Sequence, residues 1–379
     1  MALVGIDAGS SAVKCLVLDE RGAVLAESLV ELPRRAGEGE LDPDALWDAT
    51  RLALEQALSR SPDRRIEAIG VSSFGESFVA VDRDGGALAP VLLYTDPRGA
   101  EELPGLVAAA GIDHIRRTAG VEPLPMYSLP KILRFRRRFP DLAARTWKYL
   151  PIGSFLVFRL CGATAIDPSL AARTMALDVI RHRWDPDLLA AAGIGADLLP
   201  DLVPPATAVG RLDPVLAAQV GIRGSPLVIP AGHDQVCAAM GAGVVAPGQA
   251  VDGTGSVECI TPVFGRPVLD PAFLGRHFAC VPHAVPGLFV TYAFNFTGGA
   301  LLKWYRDTFA DSLKAEAAAR GTSAYALLDE RASPEPSTVL VVPHFAGSGT
   351  PDMEAARKGA FLGLTFGTTQ GDLYRGLLE

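Results

Sequence analysis

Asp234 is the side chain best placed for acid–base chemistry. It follows Leu227–Pro230, a short apolar segment typical of a buried strand, and precedes a small-residue helix predicted over Gln235–Gly243. A carboxylate at such a junction can lie at the floor of a cleft and accept a proton from a substrate hydroxyl. The amide of Gln235 could hydrogen-bond a polyol beside it. The local sequence supports a second interpretation equally well, in which Asp234 is the N-cap of the helix.

The segment from Asp7 to Lys14 carries groups that could bind phosphate and a metal ion. The turn of Gly9, Ser10 and Ser11 offers backbone N–H groups and hydroxyls that can cradle phosphate oxygens, and Lys14 follows on the next strand. Asp7 ends the first predicted strand and could hold Mg²⁺ through water. Taken alone, this motif favours a plain β-turn, and the pattern GxxxxGK[ST] of a P-loop is absent.

A second turn of the same kind lies about 245 residues later. The sequence DGTGS at Asp252–Ser256, which includes Thr254 and Gly255, echoes DAGSS in the first turn, and each lies between two apolar segments that predict a hairpin. Gly298–Gly299 precedes a helix predicted over Ala300–Arg306 and could meet phosphate at the helix N-terminus. The repeat indicates two related domains, with chance as the alternative because turns rich in Asp, Gly and Ser are common.

Polar residues also follow two predicted strands at their ends. Glu76 comes after the apolar segment Ile66–Ser72, and Tyr94 and Asp96 come after a later one. Ligand contacts collect at strand ends in α/β folds. The alternative is a surface ion-pair set of Glu76, Asp96 and Arg98, with Tyr94 as a core aromatic. The sequence contains no HxxxH or HxH pair and no GxSxG motif, which argues against a histidine metal site and a serine hydrolase.

Apolar patterning predicts the elements that must position these residues. We expect three antiparallel strands at the N-terminus, then a helix capped by Asp42 with Leu46, Ala53, Leu54 and Leu58 on one face. The other expected elements are a buried strand over Ile66–Ser72, a hairpin of Phe78–Val81 and Ala87–Leu93, helices over 99–120, 128–138 and 150–161, and a helix or loop over Asp167–Asp178.

Composition excludes several classes of protein. The 379 residues suffice for two domains, and 35 Lys and Arg against 43 Asp and Glu give a net charge of −8. An acidic chain without a basic run is a poor candidate for binding nucleic acid or an anionic membrane. No apolar run reaches the ~18 residues that span a bilayer, and the N-terminus lacks the features of a signal peptide. Five cysteines without CxxC spacing suit a reduced compartment, so we expect a cytoplasmic protein.

Taken in order, these segments resemble the FGGY carbohydrate kinases, a family with the actin/hexokinase-like ATPase fold. The blocks that carry the resemblance are GIDAGSSAVKCLVLD, IGVSSFGESFVAVDRDGGALAPVLLYTDPR, MYSLPKILR, AIDPSLAARTMALDV, AGHDQVCAAMGAG, DGTGSVE with FTGGALLKWYRD, and HFAGSGTPD with KGAFLGLTFGTTQGDLYRGLLE. The resemblance implies a duplicated α/β (ribonuclease H-like) fold whose two domains, 1–243 and 244–379, face each other across a cleft. It also implies phosphoryl transfer from ATP, with Mg²⁺, to a hydroxyl of a sugar or polyol.

Matched to the family position by position, Asp234 falls at the catalytic base and Asp7 at the residue that approaches Mg²⁺. The resemblance further implies two sets of binding residues. The expected nucleotide contacts are Ser10, Ser11, Lys14, Thr254, Gly255, Gly299 and Lys303, and the expected sugar contacts are Glu76, Tyr94, Asp96, Met126 and Gln235. The expected partners are a small sugar or polyol and, as one option, a second copy of the chain in a homodimer.

The chain departs from individual members of the family in ways that leave the sugar open. Gly75–Glu76 stands where glycerol kinase has Arg-Glu, and Tyr94 stands where that enzyme has tryptophan. The family's Gly-Gly-Gly-Ala-type adenosine loop is absent, so we expect a truncated chain that ends before it. The alternative function is a non-catalytic sugar-binding or regulatory descendant of a kinase, and the intact Asp7, Lys14, Asp234 and Thr254 weigh against it. A chaperone or filament ATPase of the same fold would leave the polar strand ends unexplained.

Overall fold

The computed structural model describes residues 1–33, 39–255, 257–354 and 356–379. Its contacts divide the chain into two compact units. The first comprises Met1–Gln249, Pro262–Gly275 and Ala279–Thr291, and the second comprises Ala250–Thr261, Arg276–Phe278 and Tyr292–Glu379.

The described residues form strands and helices that alternate along the chain. The strands are β1 Ala2–Ala8, β2 Ala12–Asp19, β3 Val24–Glu31, β4 Glu40–Leu41, β5 Ile66–Ser73, β6 Phe78–Val81, β7 Val91–Leu92, β8 Lys148–Pro151, β9 Ala165–Ile166, β10 Leu177–Asp178, β11 Arg183–Trp184, β12 Asp201–Leu202, β13 Gly210–Arg211, β14 Leu227–His233, β15 Ala250–Thr254, β16 Glu258–Phe264, β17 Val281–Pro282, β18 Phe289–Val290, β19 Ala293–Asn295, β20 Leu340–Val342 and β21 Ala360–Leu362. The α-helices are α1 Pro43–Arg60, α2 Leu103–Ala110, α3 Ile112–Ala119, α4 Ser128–Arg138, α5 Pro140–Arg145, α6 Ile152–Cys161, α7 Pro168–Ala171, α8 Pro186–Ala191, α9 Pro214–Val220, α10 Asp234–Gly241, α11 Pro271–Leu274, α12 Gly299–Phe309, α13 Asp311–Arg320, α14 Ala324–Arg331 and α15 Gln370–Leu378. Two short 3₁₀ turns cover Ala172–Thr174 and Ala196–Leu198.

A six-stranded sheet in the order β13-β14-β5-β1-β2-β3 organises the first unit. The predicted antiparallel set β1, β2 and β3 is confirmed, and β5 and β14 add to it in parallel. Ala8 and His233 both pair with Ser73, so the carboxyl ends of β1, β5 and β14 meet at one edge. This edge is where Asp7, Glu76 and Asp234 leave the sheet.

Helix α1 covers the sheet as its sequence predicts. Asp42 caps it by accepting a hydrogen bond from the Asp44 amide at 2.9 Å, and Pro43 occupies the first turn. The four apolar residues expected on one face are all buried: Leu46, Ala53, Leu54 and Leu58. Their burial against β2 and β3 removes apolar surface from water, which is the main stabilising contribution of such a layer.

The predicted hairpin of Phe78–Val81 and Ala87–Leu93 forms only in part. The Asp82 amide donates to the Gly86 carbonyl, and a single bridge joins Val81 to Ala87. Beyond that bridge the chain turns away. β7 pairs with β4, and β6 pairs with β8. All four β6 residues are buried, so their backbone N–H and C=O groups need hydrogen-bonding partners. The distant strand β8 supplies them.

Helix predictions differ from the structure mainly where glycine or a neighbouring strand intervenes. Helix α4 has the bounds predicted for 128–138. The helix predicted over 99–120 is two helices, because Gly111 adopts φ +82°, a value that other residues rarely adopt. The helix predicted over 150–161 starts two residues later, after β8. Asp167–Asp178 contains α7, capped by the Asp167 side chain, and a 3₁₀ turn.

The second unit contains β15, the first part of β16, β19 to β21 and helices α12 to α15. Glu258, Cys259 and Ile260 pair with β19. Helices α12 to α15 enclose a small core around Tyr305, Leu313 and Tyr374. Helix α15 begins with a capping box between Thr369 and Asp372, which satisfies backbone N–H groups at its first turn.

None of the helices that the structure describes is long and apolar enough to cross a bilayer.

Candidate functional site

Asp234 occupies the first turn of α10, directly after the buried end of β14. The N-cap of this helix is His233, and Asp234 Oδ1 accepts from the Gln235 amide at 2.7 Å. The interpretation of Asp234 as the helix cap is therefore wrong, because a cap would bond to an amide two or three residues on. Its side chain is 27% exposed, which leaves the carboxylate accessible to a substrate.

The environment of Asp234 favours proton uptake. Burial first, and then the negative charges of Asp7 and Glu76, raise the pKa of Asp234 to about 8, while the Gln235 amide and Arg173 act in the opposite direction. A carboxyl group with a pKa near neutral is suited to accept a proton and release it later.

His233 lies against Asp234 as a neutral partner. Its Nε2 is 3.2 Å from Asp234 Oδ1. Burial and the nearby Arg173 hold the pKa of His233 well below its usual value, so the ring carries no charge at neutral pH. The His233 backbone amide donates to Ser169 Oγ at 3.0 Å, and that hydroxyl donates to Asp167 Oδ2 at 2.6 Å. This chain of contacts fixes the end of β14, and with it the start of α10.

Asp167 is the buried end of this series of hydrogen bonds. Burial raises its pKa to about 6 despite hydrogen bonds from Ser169 and from the Leu170 amide. The side chain caps α7, so it holds the segment that carries Arg173 in place.

Asp7 lies at the same sheet edge, near the end of β1. Ser72 Oγ donates to Asp7 Oδ1 at 2.7 Å, and Lys14 is the cross-strand neighbour of Asp7 on β2. Lys14 is exposed, and none of the described carboxylates lies within ion-pairing distance of its amine. Ser10 and Ser11 form the turn between the strands, with Ser11 exposed. The first turn therefore presents the Ser11 side chain and the Lys14 amine to solvent.

Glu76 is locked into a buried ion pair that the sequence analysis did not anticipate. Arg173 Nε donates to Glu76 Oε1 at 2.6 Å, Arg173 Nη2 also contacts that oxygen, and both side chains are 6% exposed. A Cβ on Gly75 would lie 2.7 Å from Arg173 Cγ, so only glycine lets the Gly75 backbone and the Arg173 side chain approach this closely. The Arg173 guanidinium also stacks over Tyr127, 5.2 Å from the ring centroid.

Lys131 supports the same segment from α4. Its fully buried amine donates to the Leu93 carbonyl at 2.8 Å and lies 3.4 Å from the Glu76 carbonyl. Burial lowers the pKa of Lys131 to about 8, although Glu76 and Asp96 act to raise it.

Asp96 is held in an ion pair with Arg98, as the alternative interpretation predicted. Arg98 Nε lies 2.9 Å from both carboxylate oxygens, and Arg98 Nη1 reaches Glu40 at 2.6 Å. Burial acts to raise the pKa of Asp96, but the Arg98 hydrogen bonds outweigh it and the pKa falls below its usual value. Asp96 thus stays ionised and oriented. Glu76 pairs with Arg173 instead of Arg98, so the three-residue set does not form.

The remaining expected sugar contacts lie in the first unit. Tyr94 is half-buried and packs on Phe74 at 6.4 Å between ring centroids. Met126 lies half-buried in the turn before α4, and Gln235 is half-buried on α10 beside Asp234.

In the second unit, the described part of the turn brings the end of β15 to the start of α12. The Gly299 amide donates to the Gly255 carbonyl at 2.7 Å, and Thr254 and Gly255 are exposed. Ser256, the last residue of the predicted motif, lies outside the described residues. Lys303 is 66% exposed and pairs with Asp307 at 2.7 Å, so a nucleotide would have to compete with that carboxylate.

No sequence motif pointed to a role for Arg173, Lys131 or Asp167. Each is a charged residue in a mainly apolar segment, and each is nearly or fully buried. A buried charge requires a partner, and that requirement is the signal that could have drawn attention to them. It would not have identified the partners.

Comparison with known proteins gives consistent matches over the whole chain. A model described as the FGGY family of carbohydrate kinases, N-terminal domain, matches residues 2–241, and the C-terminal domain model of that family matches residues 253–379. A xylulose kinase from Bacillus subtilis is 28% identical over 383 residues, which cover 100% of this chain and 74% of the relative. An autoinducer-2 kinase from Salmonella choleraesuis is 28% identical over 344 residues, which cover 88% of this chain and 64% of the relative.

Solved structures extend the comparison to the fold. A protein from Brucella ovis described as a xyloylose kinase superposes with a TM-score of 0.86 at 27% identity, covering 100% of this chain and 76% of the other. A ligand-bound xylulose kinase from Lactobacillus acidophilus superposes with a TM-score of 0.85 at 22% identity, which speaks for the fold alone. The expected two-domain α/β fold of the actin/hexokinase-like type is confirmed.

Proposed function

The chain belongs to the FGGY family of carbohydrate kinases, and from that premise we propose that it takes part in transferring a phosphoryl group from ATP to a hydroxyl of a sugar or polyol. The chain spans 74% of the xylulose kinase and 64% of the autoinducer-2 kinase that it matches. We therefore assign roles only to residues of this chain.

The observation that carries the proposal is the environment of Asp234. A carboxyl group at the end of a buried strand, with its pKa raised to about 8 by burial, Asp7 and Glu76, is a competent acceptor for a hydroxyl proton. In the proposed reaction, the sugar oxygen forms the new bond to phosphorus, its proton passes to Asp234, and the bond to the leaving ADP breaks.

The donor set around Asp234 fits a divalent cation. Asp7 offers a carboxylate oriented by Ser72, and its negative charge helps to raise the pKa of Asp234, which is the kind of charge accumulation that Mg²⁺ neutralises. Asp7 would hold the ion, which when bound would stabilise charge on the transferred phosphoryl group.

We assign the other binding residues by unit. In the first unit, Ser10, Ser11 and Lys14 would contact phosphate, while Glu76, Tyr94, Asp96, Met126 and Gln235 would contact the sugar. In the second unit, Thr254, Gly255, Gly299 and Lys303 would contact the nucleotide. A domain boundary near residue 243 agrees with the gap between the two ranges that the family models match.

The experiment is a phosphoryl-transfer assay on the chain with a panel of acceptors. Xylulose, gluconate, glycerol and autoinducer-2 are the acceptors to include, since kinases named for them are among its relatives and structural neighbours. We expect the rate of phosphoryl transfer to one sugar or polyol, followed by ³¹P NMR, to exceed the rate of ATP hydrolysis in its absence. Binding of a sugar without transfer, even by a chain extended to its relatives' length, would instead favour the non-catalytic alternative.

A further inference from the structure

A cavity of about 260 Å³ opens beside α4 in the first unit, away from the residues assigned above to acid–base chemistry. We call it the α4 pocket. Its apolar wall includes Phe78, Leu92, Phe135 and Phe139, and the described residues that line it do not include Asp7 or Asp234. Phe78 and Phe135 meet edge to face at 6.4 Å between centroids, which gives the wall a fixed shape.

Two arginines of α4 supply uncompensated positive charge at this pocket. Arg134 and Arg138 are four residues apart, so they lie on one face of the helix, and both line the cavity. Within the part of the chain that the structure describes, no carboxylate is within 4.0 Å of either guanidinium. Arg98 and Glu40 also line the cavity, but they form an ion pair at 2.6 Å in which their charges offset each other, and Arg98 also binds Asp96.

Lys131 adds to the positive field from a fully buried position. It lines the pocket one turn before Arg134, and its amine bonds to the Leu93 carbonyl at 2.8 Å. A ligand would therefore form its direct ionic contacts with Arg134 and Arg138. Arginine is the residue best suited to this, because its planar fork donates two parallel hydrogen bonds to a carboxylate or phosphate.

We propose that the α4 pocket binds a small organic anion with a flat apolar body and one carboxylate or phosphate group. The aromatic wall accounts for the apolar body, and the arginine pair accounts for the anionic group. The cavity volume lies just below the usual range for ligand sites, about 300–1,000 Å³, which limits the apolar body to about one ring. This proposal does not depend on the proposed kinase function, although Arg98 of the lining binds Asp96, one of the proposed sugar contacts.

The test is isothermal titration calorimetry of the whole chain with benzoate, phenyl phosphate, benzyl alcohol and inorganic phosphate. At least one aromatic anion should bind saturably, and benzyl alcohol, which lacks the charge, should not. Phenyl phosphate should bind at least about tenfold more tightly than inorganic phosphate if the ring is buried against the aromatic wall. Arg134→Gln and Arg138→Gln should each weaken binding by about tenfold or more, as expected for a lost charged hydrogen bond.

Arg136→Gln is the matched control. The substitution removes one positive charge from α4, as the pocket variants do, but Arg136 does not line the pocket. It should leave the affinity within about twofold of wild type, the scale of a screened surface charge. The proposal is overturned if neither aromatic anion binds at millimolar concentration. It is also overturned if Arg136→Gln weakens binding as much as the two pocket variants, since non-specific attraction to a basic helix would then explain the result.

Discussion

At the scale of single residues, three buried charges determine how the candidate site is held. Arg173 orients Glu76 through a nearly fully buried ion pair, Lys131 bonds to the backbone beside it, and Asp167 links α7 to the end of β14 through Ser169. None of these three is proposed to touch the reacting atoms. Their effect is to fix the position of the groups that are proposed to contact the substrate.

We predict that Arg173→Gln destabilises the protein by about 3–5 kcal/mol, because removing one partner leaves the other buried and uncompensated. Glu76→Gln should cost a similar amount. The double variant should cost clearly less than the sum, and urea unfolding of all four proteins measures this coupling. If the two single losses simply add, the Arg173–Glu76 contact contributes no specific stability.

The residue scale also shows what the sequence could predict. The sequence pattern located Asp7, Glu76 and Asp234 because each follows an apolar strand, and strand ends can be recognised locally. It missed the partner of Glu76 because Arg173 is 97 residues away in the chain. It left Asp96 open between a sugar contact and an ion pair, since the Arg98 contact depends on side-chain geometry that the sequence does not specify.

At the scale of elements, the parallel pairing of β5 with β1 and β14 does most to assemble the site. It brings three strand ends to one edge, and α10 starts there. Local patterning predicted β1, β2, β3, α1 and α4 well. It predicted the bounds of β6 but not the partners of β6 and β7, which come from elsewhere in the chain. It also missed the positive φ of Gly111, which divides a predicted helix in two.

Helix α4 should leave a signature in the pH dependence of stability through Lys131. Its pKa is about 8 in the folded protein and 10.5 in the unfolded chain, so the unfolded chain holds more protons between these values. The contribution of Lys131 to the free energy of unfolding therefore rises with pH across this window, by roughly 3 kcal/mol at most.

The measurement is urea unfolding of wild type and Lys131→Met at several pH values from 7 to 10. The stability of wild type relative to the variant should increase as the pH rises above 8. A difference that is constant with pH would show that the pKa of Lys131 is the same in the folded and the unfolded chain, which contradicts the prediction.

At the scale of the whole molecule, the family match places this chain among carbohydrate kinases. The first unit contains Asp234, the proposed base. The second unit supplies the described turn at Thr254–Gly255 and the start of α12, which a sequence repeat had linked to the first turn. That repeat was a local signal and needed no knowledge of tertiary contacts. The proposed sugar contacts come from the segments that follow β5 and β7, from the turn before α4 and from α10, so no single segment would reveal the sugar.

The measurement that tests the account most directly is phosphoryl transfer by Asp234→Asn compared with wild type. The amide is nearly isosteric but cannot accept the hydroxyl proton, so we predict a loss of about 10²–10⁴ in kcat with sugar affinity by calorimetry preserved. Turnover of Asp234→Asn within a few-fold of wild type would contradict the assignment of Asp234 as the base.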